Sequence, residues 1–275
     1  LTFTDYIKKM LTGEMIKSSH SADHDTAQTG SEEMAQTPAG PTLLAIDTAS
    51  TSLATAVLVN GEVRGELFEK MERGQAESLL PFIMKSLREA GVEFADIDGI
   101  AVTVGPGAFT GMRIGLATAR GLGLARKIPV VGVSSLEAVA YGVEERDHQG
   151  RNILVALDSK RTEIFAQAFD AKKNPISAAE CVGPRQALLL PPPGPTLLVG
   201  DGAARLLTPA THSGGDFFAG TAPGLPRAGN VARIAAERWD NGKNLPPVPL
   251  YLRAPDAKRM DELAREKAAK SQDDA

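Results

Sequence analysis

Cysteine is almost missing from this sequence: Cys181 is the single one in 275 residues. No intrachain disulfide can form, and a reducing cytoplasm is the expected setting. Aromatic residues are sparse, at 5% of the chain. The core must therefore be built from Val, Ile, Leu and Ala, which suits an α/β fold of small, closely packed elements. No apolar run reaches the ~18 residues of a membrane-spanning helix. The first residues show no cationic-then-apolar leader pattern. Positive charge is not in excess either, since 30 Lys and Arg stand against 34 Asp and Glu, a net charge of −4. A chain that neutralised many phosphates unaided would be basic, so tight nucleic-acid binding by this chain alone is disfavoured.

What remains is enough for one large domain or two lobes, each with its own core. Residues 1–40 pass from a short amphipathic start into Ser, Thr, Asp, Gln, Gly and Pro, which bury too little apolar area to offset their ordering entropy. His20 and His24 stand there at metal-ligand spacing, but on a poor helix with nothing to orient them. The folded part begins near Thr42. Leu43–Ile46 is an apolar run closing in Asp47-Thr48, and Leu53–Val59 is a second. Asn60-Gly61 is a strong hairpin signal, with Val63–Phe68 as the returning strand. Ala76, Leu79, Leu80, Ile83, Met84, Leu87 and Ala90 recur with helical period, and Gly91 ends the pattern. Pro81 falls inside it, so the helix either starts near Ser78 or kinks. Ile97–Val104 reads as a buried strand, followed by a glycine-rich loop and a helix to about Ala125. Next come a strand over 129–133 and a helix over 134–143, with a polar break at Asp147–Gly150.

The second half repeats the style. Asn152–Leu157 closes in Asp158-Ser159, Glu163–Phe169 pairs with it, and Leu197–Val199 ends in Gly200-Asp-Gly202. Asn230–Trp239 is helical and Asn244–Pro249 extended. Two halves that each open with a strand ending in Asp-Thr or Asp-Ser and then a hairpin suggest a duplicated lobe, as in the actin, Hsp70 and sugar-kinase (ASKHA) superfamily. The expected divisions are an extension to residue 40, a first lobe over 41–148 and a smaller second lobe over 149–227. A helix and extended segment over 228–255 would return to the first lobe, before a charged tail over 256–275.

The loop Gly105-Pro-Gly-Ala-Phe-Thr-Gly111 joins a buried strand to a helix. Glycines admit positive φ and close approach, and amides at a helix N-terminus favour anions. Asp47, Thr48, Gly105, Gly107, Thr110 and Arg113 are thus candidates for a nucleotide or anion loop, with a tight packing turn as the competing reading. No Gly-Lys-Ser/Thr follows, so this is not a Walker loop. Gly111, Gly115, Ala119 and Gly123 form a bare ridge along the helix. Such glycines are tolerated where another backbone packs closely, from the same chain or from another subunit. Ser50, Ser134 and Ser135 have no histidine in triad order, and His-Glu-x-x-His is absent.

Leu43-Leu-Ala-Ile-Asp-Thr48, Gly105-Pro-Gly-Ala-Phe-Thr-Gly-Met-Arg-Ile-Gly115, Ile128-Pro-Val-Val-Gly-Val-Ser-Ser135 and Pro249-Leu-Tyr-Leu-Arg253 occur in this order in TsaB (YeaZ) proteins. The sequence resembles that family over about residues 42–255. The resemblance implies a two-lobed α/β fold and a place in threonylcarbamoyladenosine (t6A37) formation on tRNA. It implies a non-catalytic dimerisation or scaffold subunit that binds the catalytic paralogue TsaD together with the ATPase TsaE. It further implies a homodimer in isolation, contact with tRNA only through the complex, no membrane and no cofactor. In the catalytic paralogue a metal-binding His-x-x-x-His pair follows the strand equivalent to Ile128–Val133; here those positions fall on Ser135 and Val139, and Val cannot bind a metal. The expected partner surface is Leu79, Ile83 and Leu87 of the first helix with Gly111, Gly115, Leu116, Ala119 and Leu122 of the second. The alternative is an independent ASKHA-type ATPase, or a peptidase of the glycoprotease-like kind named in older descriptions of the family.

Overall fold

The computed structural model describes residues 40–220, 224–239 and 244–253. His20, His24 and the charged tail from residue 256 lie outside the described residues.

The chain opens as an antiparallel meander: β1 (Leu43–Asp47), β2 (Ser52–Val59) and β3 (Glu62–Lys70). Asn60 and Gly61 both take positive φ in the β2–β3 turn, as a two-residue hairpin requires. β4 (Gly99–Gly105) pairs parallel to β1, and β5 (Val130–Ser134) parallel to β4, giving the order β3-β2-β1-β4-β5. β1 and β4 are buried along their whole length, which explains their unbroken apolar sequence.

The second sheet repeats the first. β6 (Asn152–Asp158), β7 (Ile164–Phe169) and β8 (Glu180–Val182) form the meander. β9 (Thr196–Val199) and β10 (Phe217–Ala219) add parallel strands, and the order is β10-β9-β6-β7-β8. Writing β6–β10 for β1–β5 reproduces the strand order and every pairing sense. The expected duplicated, two-lobed ASKHA architecture is therefore what the chain adopts.

Helices cover both faces of each sheet. α1 (Gln75–Ala90) and α2 (Phe109–Arg126) bury their apolar stripes on one face of the first sheet. α1 begins at Gln75, so Pro81 lies inside its second turn, and Gly91 caps its end at φ 68°. α3 (Ser135–Tyr141) sits between the lobes, with Ala138 in the first lobe's core and Leu136 and Val139 in the second's. α4 (Glu145–His148) occupies the stretch expected to be a polar break. His148 is buried there and its Nδ1 accepts from the Gly150 amide at 3.2 Å. α5 (Pro184–Ala187) and α6 (Ala204–Thr211) cover the far face of the second sheet. α7 (Ala228–Glu237) crosses back and fills the remaining face of the first sheet with Val231, Ala232, Ile234 and Ala235. The segment 244–251 follows it along the β5 edge, where the Gly132 amide donates to the Leu245 carbonyl and the Leu250 amide to that of Val104, each at 2.7 Å.

Candidate functional site

The sequence offers two readings where β1 and β4 end beside the start of α2, an anion loop or a tight packing turn. The structure brings those residues together and fills the space between them from within. The Asp47 side chain is fully buried. Its Oδ1 accepts from the Thr103 hydroxyl at 2.6 Å and the Ala49 amide at 3.2 Å, and its Oδ2 from Ser50 Oγ at 3.2 Å. Burial pushes its carboxyl up to about 6 from 3.8, against the pull of those three hydrogen bonds. Both oxygens are thus committed inside the protein.

Thr48 Oγ1 donates to the Gly111 carbonyl at 2.7 Å, and the Ala108 amide donates to the Ala49 carbonyl at 2.6 Å. A Cβ on Gly107 would stand 1.9 Å from the Ala49 carbonyl oxygen, and one on Gly111 2.1 Å from that of Thr48. On Gly115 it would meet Thr48 Oγ1 at 2.5 Å. These glycines let the loop and helix close on residues 48–49; they do not open a cradle for phosphate. Gly105, at φ 100°, makes the turn beneath the Met112 sulfur. Asp47, Thr48, Gly105 and Gly107 are therefore reassigned from an anion loop to an internal clasp. Thr110 and Arg113 face outward, away from it.

The eight residues expected to meet a partner are corrected in the same way. Leu79, Ile83, Leu87, Leu116, Ala119 and Leu122 are at most 6% exposed and belong to the first lobe's core, and Gly111 and Gly115 are buried beneath Thr48. The helical apolar stripe faces inward because that is what amphipathic helices bury first. The outward faces carry other residues: Ala76, Glu77, Lys85, Arg88 and Glu89 on α1, and Arg113, Ala117, Arg120, Gly121 and Leu124 on α2.

Three of the residues on and beside α2 form a cluster that sequence reading missed. Phe109, 51% exposed, stacks on Tyr251 with ring centroids 5.6 Å apart. The Arg113 guanidinium lies 3.7 Å from the Phe109 centroid, and its Nε donates to the Tyr251 hydroxyl at 3.0 Å. Phe109 and Tyr251 each lie in a motif singled out above, but nothing in spacing tells that the two meet.

Ser135 is buried and its hydroxyl has no hydrogen-bond partner; the same holds for Ser134 Oγ. Val139 packs in the second lobe's core with Ile153, Val155 and Phe169.

A cleft runs between the lobes. Its narrow end, about 90 Å³, is closed by Ala49, Ser50 and Pro106–Ala108 on one side and Asp158–Lys160 on the other. A wider part, about 570 Å³, is lined by Lys70 and Arg227 as well as Asp158, Lys160 and Asp201. Burial works against ionisation of Asp158, but the Lys160 amide and ammonium and the Arg205 guanidinium outweigh it and hold the carboxyl below the usual range. Burial pushes Asp201 the other way, opposed by the Asp158 amide that donates to its Oδ1 at 2.8 Å. Asp201 was legible only as part of a strand-ending Gly-Asp-Gly.

A chain from Pseudomonas aeruginosa described as YeaZ superposes with a TM-score of 0.67 at 27% identity, covering 77% of this chain and all of that one. The family model described as TsaD, tRNA N6-adenosine threonylcarbamoyltransferase, matches residues 59–221. The tRNA threonylcarbamoyladenosine biosynthesis protein TsaB of Escherichia coli is 34% identical over 134 residues, 49% of this chain and 57% of that protein. The chain belongs to the TsaB/YeaZ family. An uncharacterized protein of Mycobacterium tuberculosis extends the likeness at 34% identity over 228 residues, 80% of this chain and 95% of that one. Membership ties the chain to threonylcarbamoyladenosine biosynthesis. Among the described residues no helix is long and apolar enough to cross a membrane.

Proposed function

We propose that this chain is a non-catalytic subunit that binds and supports the threonylcarbamoyltransferase TsaD, together with TsaE, in forming t6A37 on cytoplasmic tRNA. One observation carries the reading. The Asp47 turn and the glycine loop, where a superfamily enzyme would handle phosphates, are tied to each other by buried hydrogen bonds and glycine contacts. The positions matching the paralogue's metal pair support it, since Val139 is core and Ser135 is a buried hydroxyl. The contact surface in this reading is the outward face of α1 and α2, and a weaker self-pair uses the same face when TsaD is absent. tRNA is met through the complex, and no cofactor belongs to this chain.

Sedimentation of the chain mixed with TsaD is expected to show a complex at micromolar concentration. No complex, even with TsaE and nucleotide present, would sink the reading. The Asp158–Asp201 pair in the open cleft favours one alternative, an ATPase of its own. ATP turnover by the isolated chain that Asp158→Asn abolishes would replace the subunit reading with that one.

A further inference from the structure

The outward face of α2 has an unusual balance of charge. From Gly99 to Leu136 the sequence holds four cationic residues, Arg113, Arg120, Arg126 and Lys127, and no Asp or Glu, in a chain whose net charge is −4. None of the four takes part in an ion pair among the described residues. Arg113 and Arg120 are exposed and held in place by neutral groups: Arg113 by Phe109 and Tyr251, Arg120 by the Pro247 carbonyl. The exposed carboxylates of α1 are Glu77 and Glu89, and Glu89 already lies 3.9 Å from Lys85.

The same face is apolar where it is not cationic. Phe109, Leu124, Val248 and Tyr251, between 46% and 81% exposed, are carried by α2 or by the segment tied to it. Phe109, Arg113, Ala117, Arg120 and Leu124 follow one another along a single side of the helix. Gly121 completes that side. Unlike Gly111, Gly115 and Gly123, it has nothing within 4 Å of where a Cβ would stand. No internal contact calls for a glycine there, although one in a helix interior costs about 1 kcal/mol relative to Ala.

We infer that this face receives a carboxylate-bearing helix of the partner subunit, and that its charge selects that partner over a second copy of this chain. The inference rests on the subunit reading above and adds the chemistry of recognition to it. Ala117 and Gly121 let a foreign helix come close, Leu124 and the Phe109–Tyr251 pair supply apolar area, and Arg113 and Arg120 are answered by carboxylates. In a self-pair whose α2 helices run antiparallel and close near Ala117, Arg113 of one copy lies opposite Arg120 of the other. Like charges so placed are repulsive, and salt screens the repulsion. The two associations therefore respond to salt with opposite sign.

The test compares the full-length chain with Arg113→Glu/Arg120→Glu and Arg113→Gln/Arg120→Gln variants, each with a melting temperature within about 2 °C of the parent as a fold control. Affinity for TsaD and for itself is measured by sedimentation at about 50 mM and about 300 mM NaCl. TsaD binding is expected to weaken about ten-fold at the higher salt and at least about ten-fold on charge reversal, with the Gln variant between. Self-association is expected to strengthen with salt in the parent and to lose that dependence in the Gln variant. If the parent binds TsaD and charge reversal leaves that affinity intact, the inference fails while the subunit reading stands. If the parent does not bind TsaD at all, the subunit reading itself fails. If charge reversal spares TsaD binding but strips tRNA from the complex, the face belongs to RNA and the inference is overturned.

Discussion

Gly115 and Gly121 stand in the same helix for different reasons. A Cβ on Gly115 would press on Thr48 Oγ1 at 2.5 Å, within the clasp that joins β1 to α2; one on Gly121 would meet nothing. Gly115→Ala is expected to lower stability by about 1–3 kcal/mol through overpacking, and Gly121→Ala to raise it by up to about 1 kcal/mol. Urea unfolding of the two variants checks both signs. Asp47 gives a second prediction at this scale. Its pKa is raised to about 6 in the folded chain, so the native state holds the proton more tightly than the unfolded chain does. Stability is then lowest on this account above pH 6 and is gained as pH falls through 6 towards 3.8, by about 3 kcal/mol for a shift of this size. Asp47→Asn keeps an acceptor for Thr103 and Ala49 and offers its amide to Ser50. It is expected to be more stable than the parent near pH 7.5 and to lose that advantage near about pH 4.5, as read from thermal melts. An unchanged difference across that range would remove Asp47 as the source.

At the scale of elements, much was legible because period and burial agree. α1 and its inward stripe follow from the spacing of Leu79, Leu80, Ile83 and Leu87, and the β2–β3 hairpin from Asn60-Gly61. The same stripe is not the outward surface expected to meet a partner: an apolar period marks what a helix buries, and here its own lobe's core takes it. β8, β10, α5 and α6 were not foreseen as elements. Each has eight residues or fewer, too short for a period to show, and each is held by tertiary neighbours. Contacts across long stretches of sequence were equally hidden, among them Phe109 on Tyr251 and Glu137 with Arg238. That last ion pair fastens α3 to the end of α7, with side chains only 14% and 24% exposed. Arg238→Ala strands the Glu137 carboxylate and is expected to cost about 2–4 kcal/mol, whereas replacing both by Leu recovers most of the loss. A double-mutant cycle in urea measures this, and equal losses for the single and the paired change would count against a role for the charge.

At the scale of the molecule, the first sheet is covered by helices from two distant parts of the chain. α1 and α2 come from between its own strands, but Ala228, Val231, Ala232 and Ile234 arrive only after the whole second lobe. Until they do, Leu43, Ala45, Ala56, Leu58, Val131 and Val133 have on that side only Ala138 and Tyr141 of α3 as helical cover. The order of synthesis then matters. A ribosome that has released both sheets still holds the piece that completes the first one, so the lobe that begins earliest is among the last to be finished. During that interval an adhesive apolar face of the nascent chain is open to chaperones or to its neighbours on the same message, and a stop before residue 228 would make that interval permanent.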